Sequence, residues 1–215
     1  YSYNKIKSNI INFKNHFKTI DPLICFSVKS NNNLYILKEI KKLGLGADVV
    51  SQGELMKAIK AGINSKKIVF SGVGKTIEEL KYAIKKNILL INAESESEVN
   101  QIEKIAKSQK RIVNIGLRLN PNTDAKTIRK ISTGRKENKF GLTKNKFLNL
   151  LVRCKKSKFI NLKCLSVHIG SQITNHTPYA KMLKVVDEVI NKSNYHFDFV
   201  DLGGGMGIKY NKFKN

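Results

Sequence analysis

The stretch Leu23-Ile24-Cys25-Phe26-Ser27-Val28-Lys29-Ser30-Asn31 joins an apolar run to a lysine and a polar turn. Residues 23–28 predict a short buried strand, because the run is apolar and rich in branched side chains. Lysine is unfavourable in a buried strand unless it is paired or covalently used. Lys29, at the end of this strand, is therefore a candidate functional amine, and such an amine can form a Schiff base with an aldehyde cofactor.

Apolar runs of the same kind recur along the chain and alternate with helical patterns. The predicted buried parallel strands are residues 23–28, 47–50, 67–71, 88–93, 113–119, 162–167 and 197–202. Helix starts are predicted by the capping boxes Ser51-Gln52-Gly53-Glu54, Thr76-Ile77-Glu78-Glu79 and Ser95-Glu96-Ser97-Glu98. Repeated β-then-α units favour an α/β fold, either a TIM-like (β/α)8 barrel or a doubly wound sheet. Seven strands are visible, so an eight-stranded barrel would lack its last.

Two later strand ends carry further candidates for binding. Gly203, Gly204 and Gly205 follow the seventh run, and without Cβ atoms they can present successive N–H groups to an anion such as phosphate. A tight turn is the alternative explanation for three glycines. His168 follows the sixth run, and Ser171 can offer its hydroxyl to an anion three residues later.

Charged residues end two other predicted strands. Asp48 lies at the end of the second run and Arg118 near the end of the fifth. Because functional sites of β/α barrels lie at the C-terminal ends of the strands, both are candidates for the same site as Lys29. Glu54 is assigned a structural role as the fourth residue of its capping box.

Two nucleotide-binding motifs are incomplete. Gly74-Lys75-Thr76 resembles the end of a Walker A loop, but Val69 stands where its first glycine is required. Gly203 and Gly205 could begin a dinucleotide fingerprint, but Ile208 replaces the third glycine. Neither motif is assigned to this chain.

Composition excludes several function classes. The chain has 215 residues, 41% of them hydrophobic, and a formal net charge of +24. Such a charge would suggest nucleic acid, but only five of the forty basic residues are arginines, and the lysines are scattered over nearly every predicted helix. We therefore expect no nucleic-acid partner. The three cysteines form no C-x-x-C pair, so neither a metal site nor a disulfide framework is expected.

No membrane span or leader is visible in the sequence. No apolar stretch approaches the roughly 18 residues of a spanning helix, and no charged-then-apolar segment opens the chain. We expect a cytoplasmic protein.

The motifs together resemble the fold-type III pyridoxal-phosphate decarboxylases, whose barrel is of the alanine racemase type. Within them, the chain is similar to the diaminopimelate decarboxylases, which convert meso-2,6-diaminopimelate to L-lysine in the last step of lysine biosynthesis. The matching blocks are residues 26–31, 46–51 with 53–55, 70–75, 119–121 with 124–127, 131–142, and the pair 168–172 and 201–207. The block Ile131-Ser132-Thr133-Gly134-Arg135-Lys136-Glu137-Asn138-Lys139-Phe140-Gly141-Leu142 is quite specific to the diaminopimelate enzymes.

The resemblance implies roles for the candidate residues. Lys29 would carry the pyridoxal 5'-phosphate cofactor as a Schiff base, and His168 would stack on its ring. Ser171, Gly203, Gly204 and Gly205 would hold the phosphate. Asp48 and Arg118 match positions that support the lysine and the surroundings of the ring. Serines stand at positions 27 and 30, where the family usually has alanine.

By the same resemblance, residues 1–215 form a pyridoxal-phosphate-binding barrel domain truncated at both ends. The family's C-terminal β domain and eighth strand are absent. Those parts supply substrate contacts and a residue donated across a homodimer interface, so we expect the isolated fragment to be inactive. Two other functions stay open: a single-barrel pyridoxal-phosphate homeostasis protein, and a decarboxylase for ornithine, arginine or polyamine precursors.

Overall fold

A computed structural model describes residues 2–17, 19–123 and 140–208 of the protein. Strands and helices alternate along this part of the chain. The strands are β1 Cys25–Ser27, β2 Gly46–Val49, β3 Ile68–Phe70, β4 Leu90–Ala93, β5 Val113–Leu119, β6 Ile160–Val167 and β7 Phe199–Asp201. The α-helices are α1 Tyr3–Asn15, α2 Leu34–Lys42, α3 Gln52–Lys60, α4 Ile77–Lys86, α5 Glu96–Ser108, α6 Lys144–Lys156 and α7 Thr177–Ser193.

The seven strands form one sheet in the order β1-β2-β3-β4-β5-β6-β7. The registers of five neighbouring pairs are parallel, for example Ser27 opposite Asp48 and Ser166 opposite Asp201. In a doubly wound sheet the strand order reverses at a switch point. Sequential order without reversal is the topology of a β/α barrel, so the predicted α/β class and incomplete (β/α)8 topology with seven strands are confirmed.

The chain divides into two compact units. The first unit comprises Tyr1–Ser71 and Lys75–Ile91, and its fully buried side chains include Leu37, Leu55, Phe70 and Leu80. Leu37, Leu55 and Leu80 come from helices whose apolar residues share one face, whereas Phe70 comes from β3, which is buried throughout.

The second unit comprises Gly72–Gly74 and Asn92–Asn215. Its interior contains Ile102 of α5, Ile115 and Leu117 of β5, Phe147 of α6 and Val189 of α7, all at most 1% exposed. The residues of β4 and β5 are nearly all buried, which is typical of parallel strands covered by helices.

The three predicted capping boxes differ in their hydrogen bonds. At Thr76 both bonds are present, since its hydroxyl accepts from the Glu79 N–H and the Glu79 carboxylate accepts from the Thr76 N–H. At Ser51 and Ser95 the hydroxyl bond forms, but the carboxylate accepts from the residue before the cap. Glu54 binds the Val50 N–H at 2.9 Å, and Glu98 binds the Glu94 N–H at 2.7 Å. These two boxes are therefore displaced by one residue, which ties each helix start to the end of the preceding strand.

The three cysteines are free thiols. Cys25 is half-buried, whereas Cys154 and Cys164 are buried. Burial raises the pKa of the Cys154 thiol to about 11 and raises that of Cys164 further. In the part of the chain that the structure describes, no helix has both the length and the apolar character needed to cross a membrane.

Candidate active site

Lys29 lies just beyond β1, in a single 3-10 turn formed by Val28–Ser30. The strand is shorter than predicted, because Val28 already belongs to this turn. Val28 is fully buried but Lys29 is exposed. Lys29 therefore lies at the C-terminal end of β1, as predicted, and in an exposed turn. The Ser30 hydroxyl donates to the Ser27 carbonyl at 2.7 Å and helps to close the turn.

Asp48 lies in the neighbouring strand β2, half-buried, and pairs in register with Ser27. Lys29 follows Ser27 by two residues. The parallel register thus brings Lys29 and Asp48 to the same end of adjacent strands within the first unit.

In the second unit, His168 follows β6 and contacts the glycine loop, residues 203–205. The Gly204 N–H donates to Nδ1 of the imidazole at 3.3 Å. A Cβ built on Gly203 would lie 2.6 Å from the Val167 carbonyl oxygen and 2.8 Å from the His168 Nδ1. Only a residue without a side chain permits this approach, so the glycine at 203 sets the position of the imidazole.

The glycine loop also packs on the segment after His168. A Cβ on Gly205 would lie 1.8 Å from the Gly170 carbonyl oxygen, and Gly205 has a φ of +88° that disfavours any other residue. The Ile173 N–H donates to the Gly205 carbonyl at 2.9 Å. Gly204 is different, because a Cβ there would meet no heavy atom within 4 Å. The loop is thus closed at Gly203 and Gly205 and open at Gly204.

The carboxylate of Asp201, the last residue of β7, anchors the glycine loop. One carboxylate oxygen accepts from the Gly203 N–H at 2.8 Å. The other accepts from the Asn92 side-chain amide at 2.9 Å and from the Ser166 hydroxyl at 3.1 Å. Tyr179 of α7 also contacts the loop, because its hydroxyl donates to the Gly204 carbonyl at 2.9 Å. Burial raises the pKa of this hydroxyl, which keeps it protonated and able to donate.

Two of the three glycine amides are therefore engaged within the protein. Gly203 donates to Asp201 and Gly204 donates to His168, while the Gly205 N–H has no hydrogen-bond partner among the described residues. The positive φ angles of Gly203 and Gly205 are those of a tight turn. The Gly205 N–H can still donate to an anion. Ser171 is half-buried in the bend between Gly170 and Ile173.

Arg118, in β5, is 8% exposed and forms a buried ion pair with Glu94. Its Nη1 lies 2.7 Å from the Glu94 Oε1, and its Nη2 donates to the His168 carbonyl at 3.3 Å. The guanidinium also lies over the Phe140 ring, 5.0 Å from the centroid. Arg118 and His168, predicted separately, are thus in direct contact.

Within the second unit the structure brings together Arg118, His168, Ser171 and the glycine loop. Lys29 and Asp48 form the corresponding group of the first unit. Of the block at residues 131–142, residues 131–139 lie outside the described residues, as do residues 124–127. Within the described ranges, no group of three or more histidine, cysteine or acidic side chains could hold a metal ion.

Sequence reasoning missed Glu94, Asp201, Asn92, Ser166 and Tyr179. Glu94 had a usable signal, because it follows a predicted strand directly, as His168 does. The capping box that begins at Ser95 obscures this signal, because it gives a local explanation for the neighbouring residues. Ser166 and Asn92 lie inside predicted strands, where a single polar residue gives no indication of its partner.

The pyridoxal-binding domain of the pyridoxal-dependent decarboxylases matches residues 3–215. The chain belongs to this family. It is 44% identical over 214 residues to a diaminopimelate decarboxylase of Helicobacter pylori strain J99, covering 98% of the chain and 53% of that protein. It is 40% identical over 215 residues to the diaminopimelate decarboxylase of Campylobacter jejuni, covering 99% of the chain and 54% of that protein.

A solved structure is also similar to this chain over its whole length. The crystal structure of Helicobacter pylori diaminopimelate decarboxylase complexed with L-lysine matches with a TM-score of 0.96 and 42% identity, covering 100% of the chain and 55% of that protein. The chain therefore spans about half the length of the curated relatives it matches. The match to a pyridoxal-binding domain confirms the predicted family and its cofactor, pyridoxal 5'-phosphate.

The residues present fit this cofactor in the second unit. The glycine loop is open at Gly204 and has one unengaged N–H at Gly205, which suits a phosphate approaching the backbone. An imidazole held by a backbone N–H presents a fixed ring edge and face. The open loop and the held imidazole are both formed by the described residues of the second unit.

Proposed function

We propose that the complete gene product catalyses the pyridoxal-phosphate-dependent decarboxylation of meso-2,6-diaminopimelate to L-lysine. The observation that carries this proposal is the 44% identity to a diaminopimelate decarboxylase over 98% of the chain. The binding of L-lysine by the similar Helicobacter pylori enzyme supports an amino-acid substrate. The reaction releases one carboxylate as CO2 and replaces it with a proton.

The roles of the site residues are part of the proposal. Lys29 binds the cofactor aldehyde covalently, and its exposure leaves the amine accessible. Asp48, at the same end of the adjacent strand, is assigned to the support of Lys29. The bound cofactor supplies an electron sink for the carbanion that decarboxylation leaves.

His168 and the glycine loop are assigned to the ring and the phosphate of the cofactor in this proposal. His168 stacks on the ring, and its orientation is supported by the Gly204 N–H. The phosphate binds at Ser171, Gly203, Gly204 and Gly205. Since the Gly203 N–H already donates to Asp201, the Gly205 N–H and the Ser171 hydroxyl are the principal donors we assign to it. Arg118 supports this group through the His168 carbonyl.

The first test is covalent trapping of the cofactor. The complete gene product is mixed with pyridoxal phosphate, reduced with borohydride and digested, and the modified peptide is mapped by mass. We expect dominant labelling at Lys29. Lys29→Arg should abolish this label, while Lys57→Arg, which changes a half-buried lysine bonded to Asn32, should leave it intact. Labelling spread evenly over surface lysines in a folded protein would contradict the proposed site.

The second test concerns the substrate. CO2 release is measured with meso-diaminopimelate, ornithine and arginine at equal concentrations. We expect release with diaminopimelate alone, because the relatives with 40–44% identity bear that name. Release with ornithine or arginine would favour the decarboxylases of those substrates. Lys29 labelling with no decarboxylation of any amino acid would favour a pyridoxal-phosphate homeostasis protein.

The remaining proposals concern the protein as a whole. The chain of residues 1–215 corresponds to a cofactor-binding barrel domain, and we propose that it is inactive without the further residues that its relatives possess. The complete protein is proposed to be a cytoplasmic homodimer with no nucleic-acid partner. Light scattering of the complete gene product, and a DNA-binding assay at low and high salt, would test the last two points.

A further inference from the structure

The carboxylate of Glu94 is buried just after the end of β4, and the proposed function gives it no role. Its side chain is 2% exposed. Its own N–H is bound by the Glu98 carboxylate at 2.7 Å, so the backbone at this position is tied to the first turn of α5. A charge buried to this degree is costly unless it is paired, and the pair is with Arg118.

The geometry of the pair is unusual for one that serves stability alone. A carboxylate and a guanidinium bind most strongly through two parallel bonds. Here only Glu94 Oε1 contacts Arg118, at 2.7 Å from Nη1, and Oε2 is buried with no hydrogen-bond partner among the described residues. The second arm of the guanidinium, Nη2, is instead directed to the His168 carbonyl at 3.3 Å. The second bond to the carboxylate is absent, and the guanidinium bridges to the residue that follows β6.

Arg118 is held on further sides. Its ring contact is with Phe140, and its backbone carbonyl accepts from the Leu142 N–H at 2.8 Å. Glu94 is the only one of the described contacts that bears an opposite charge to the guanidinium. Glu94, Arg118 and His168 thus form one chain of contacts, through Nη1 and Nη2 of the guanidinium.

We propose that Glu94 is a positioning residue of the cofactor site, which acts through Arg118 to hold His168. His168 is then held at its backbone carbonyl by Arg118 and at its imidazole Nδ1 by the Gly204 N–H. The role at the cofactor rests on the proposed function, whereas the coupling from Glu94 to His168 is a property of the protein without cofactor.

Two substitutions separate this role from a structural one. Glu94→Gln keeps the shape and an accepting oxygen but removes the charge that orients Arg118. Arg118→Lys keeps a charge for Glu94, but a single ammonium cannot span both Glu94 and the His168 carbonyl. Leu80→Ala in the first unit is the control, since it opens a cavity in the core and touches neither residue.

The test uses the complete gene product and two measurements. Without cofactor, the 15N and 1H resonances of the His168 ring are compared with those of His16 by NMR. With cofactor, the dissociation constant for pyridoxal phosphate and the kcat are measured. We expect both substitutions to move the His168 resonances, leave those of His16 in place, and lower kcat about tenfold to a hundredfold, as small misplacements of a reacting group do.

The outcomes are distinct. Unchanged His168 resonances in both variants, with only a lower unfolding temperature as in Leu80→Ala, would show a structural ion pair and overturn the proposal. Shifted resonances with unchanged cofactor affinity and kcat would also overturn it. Failure of the proposed function is read separately, from the Lys29 labelling of the unsubstituted protein.

Discussion

His168 and Gly204 are joined by a hydrogen bond in which the glycine N–H donates to the imidazole Nδ1 at 3.3 Å. A ring nitrogen accepts such a bond only when it carries no hydrogen, so the hydrogen of the neutral ring lies on Nε2. The bond links the end of β6 to the loop after β7, two segments that are 36 residues apart in sequence. It explains why a histidine and a glycine run belong to one site.

The glycine loop provides a matched pair of substitutions. Gly205→Ala should destabilise the fold by about 1–3 kcal/mol, because its φ is strongly disfavoured for other residues. The added methyl group would also overlap the Gly170 carbonyl. Gly204→Ala should change stability by less than about 0.5 kcal/mol, since its Cβ meets nothing within 4 Å. Urea unfolding of both variants measures the difference, and equal losses would contradict this description of the loop.

Asp201 should be intolerant of an amide. Its two oxygens accept three hydrogen bonds, but asparagine has one accepting oxygen, so an NH2 group would face either the Gly203 N–H or the Asn92 and Ser166 donors. We expect Asp201→Asn to cost about 1–3 kcal/mol of stability. Asp198→Asn, which removes an exposed partner of Lys163, should cost less than about 0.5 kcal/mol. Thermal unfolding distinguishes them; a neutral Asp201→Asn would argue against the hydrogen-bonded hub.

Glu79 should make stability depend on pH. Burial alone would raise the pKa of its carboxyl, but the N–H groups of Thr76 and Gln52 and the Thr76 hydroxyl bind the carboxylate and lower the pKa below its ordinary 4.5. A lowered folded-state pKa adds stability above pH 4.5 that is lost as the pH falls through the folded value.

The corresponding variant is Glu79→Gln. Its destabilisation should be larger at pH 7 than at pH 3 in urea unfolding, because the native carboxylate is progressively protonated in acid. Glu78→Gln, one residue earlier, changes an exposed partner of Lys81 and should show little pH dependence. A destabilisation by Glu79→Gln that is the same at both pH values would contradict the lowered pKa.

The three cysteines should react in a fixed order. Burial raises the pKa of Cys154 to about 11, so at pH 8 only about a thousandth of it is the reactive thiolate, and Cys164 is raised further. A disulfide reagent added to the native protein at pH 8 should modify the half-buried Cys25 first. Cys154 and Cys164 should react only after unfolding, and peptide mapping would show whether either reacts earlier.

The strand and helix order was predictable from the sequence because buried parallel strands are continuous apolar runs. β5 was predicted with its observed bounds, Val113–Leu119, and the other strands were placed to within two residues at each end. β1 and β7 are the least accurate, and β1 ends early because the chain turns at Val28. Periodicity records which residues are buried, but it does not record where the backbone leaves the sheet.

The sequence by itself determined the α/β alternation, the seven strands and the position of each candidate at the end of a strand. These follow from local patterns of apolar, capping and turn-forming residues. Tertiary structure alone decided that Glu94 pairs with Arg118, that Arg118 reaches the His168 carbonyl, and that Asp201 rather than an anion occupies the Gly203 N–H. The physical reason is distance. The first two contacts join residues 24 and 50 positions apart in sequence, and the third depends on which acceptor reaches the Gly203 N–H. Only the packed strands set these distances.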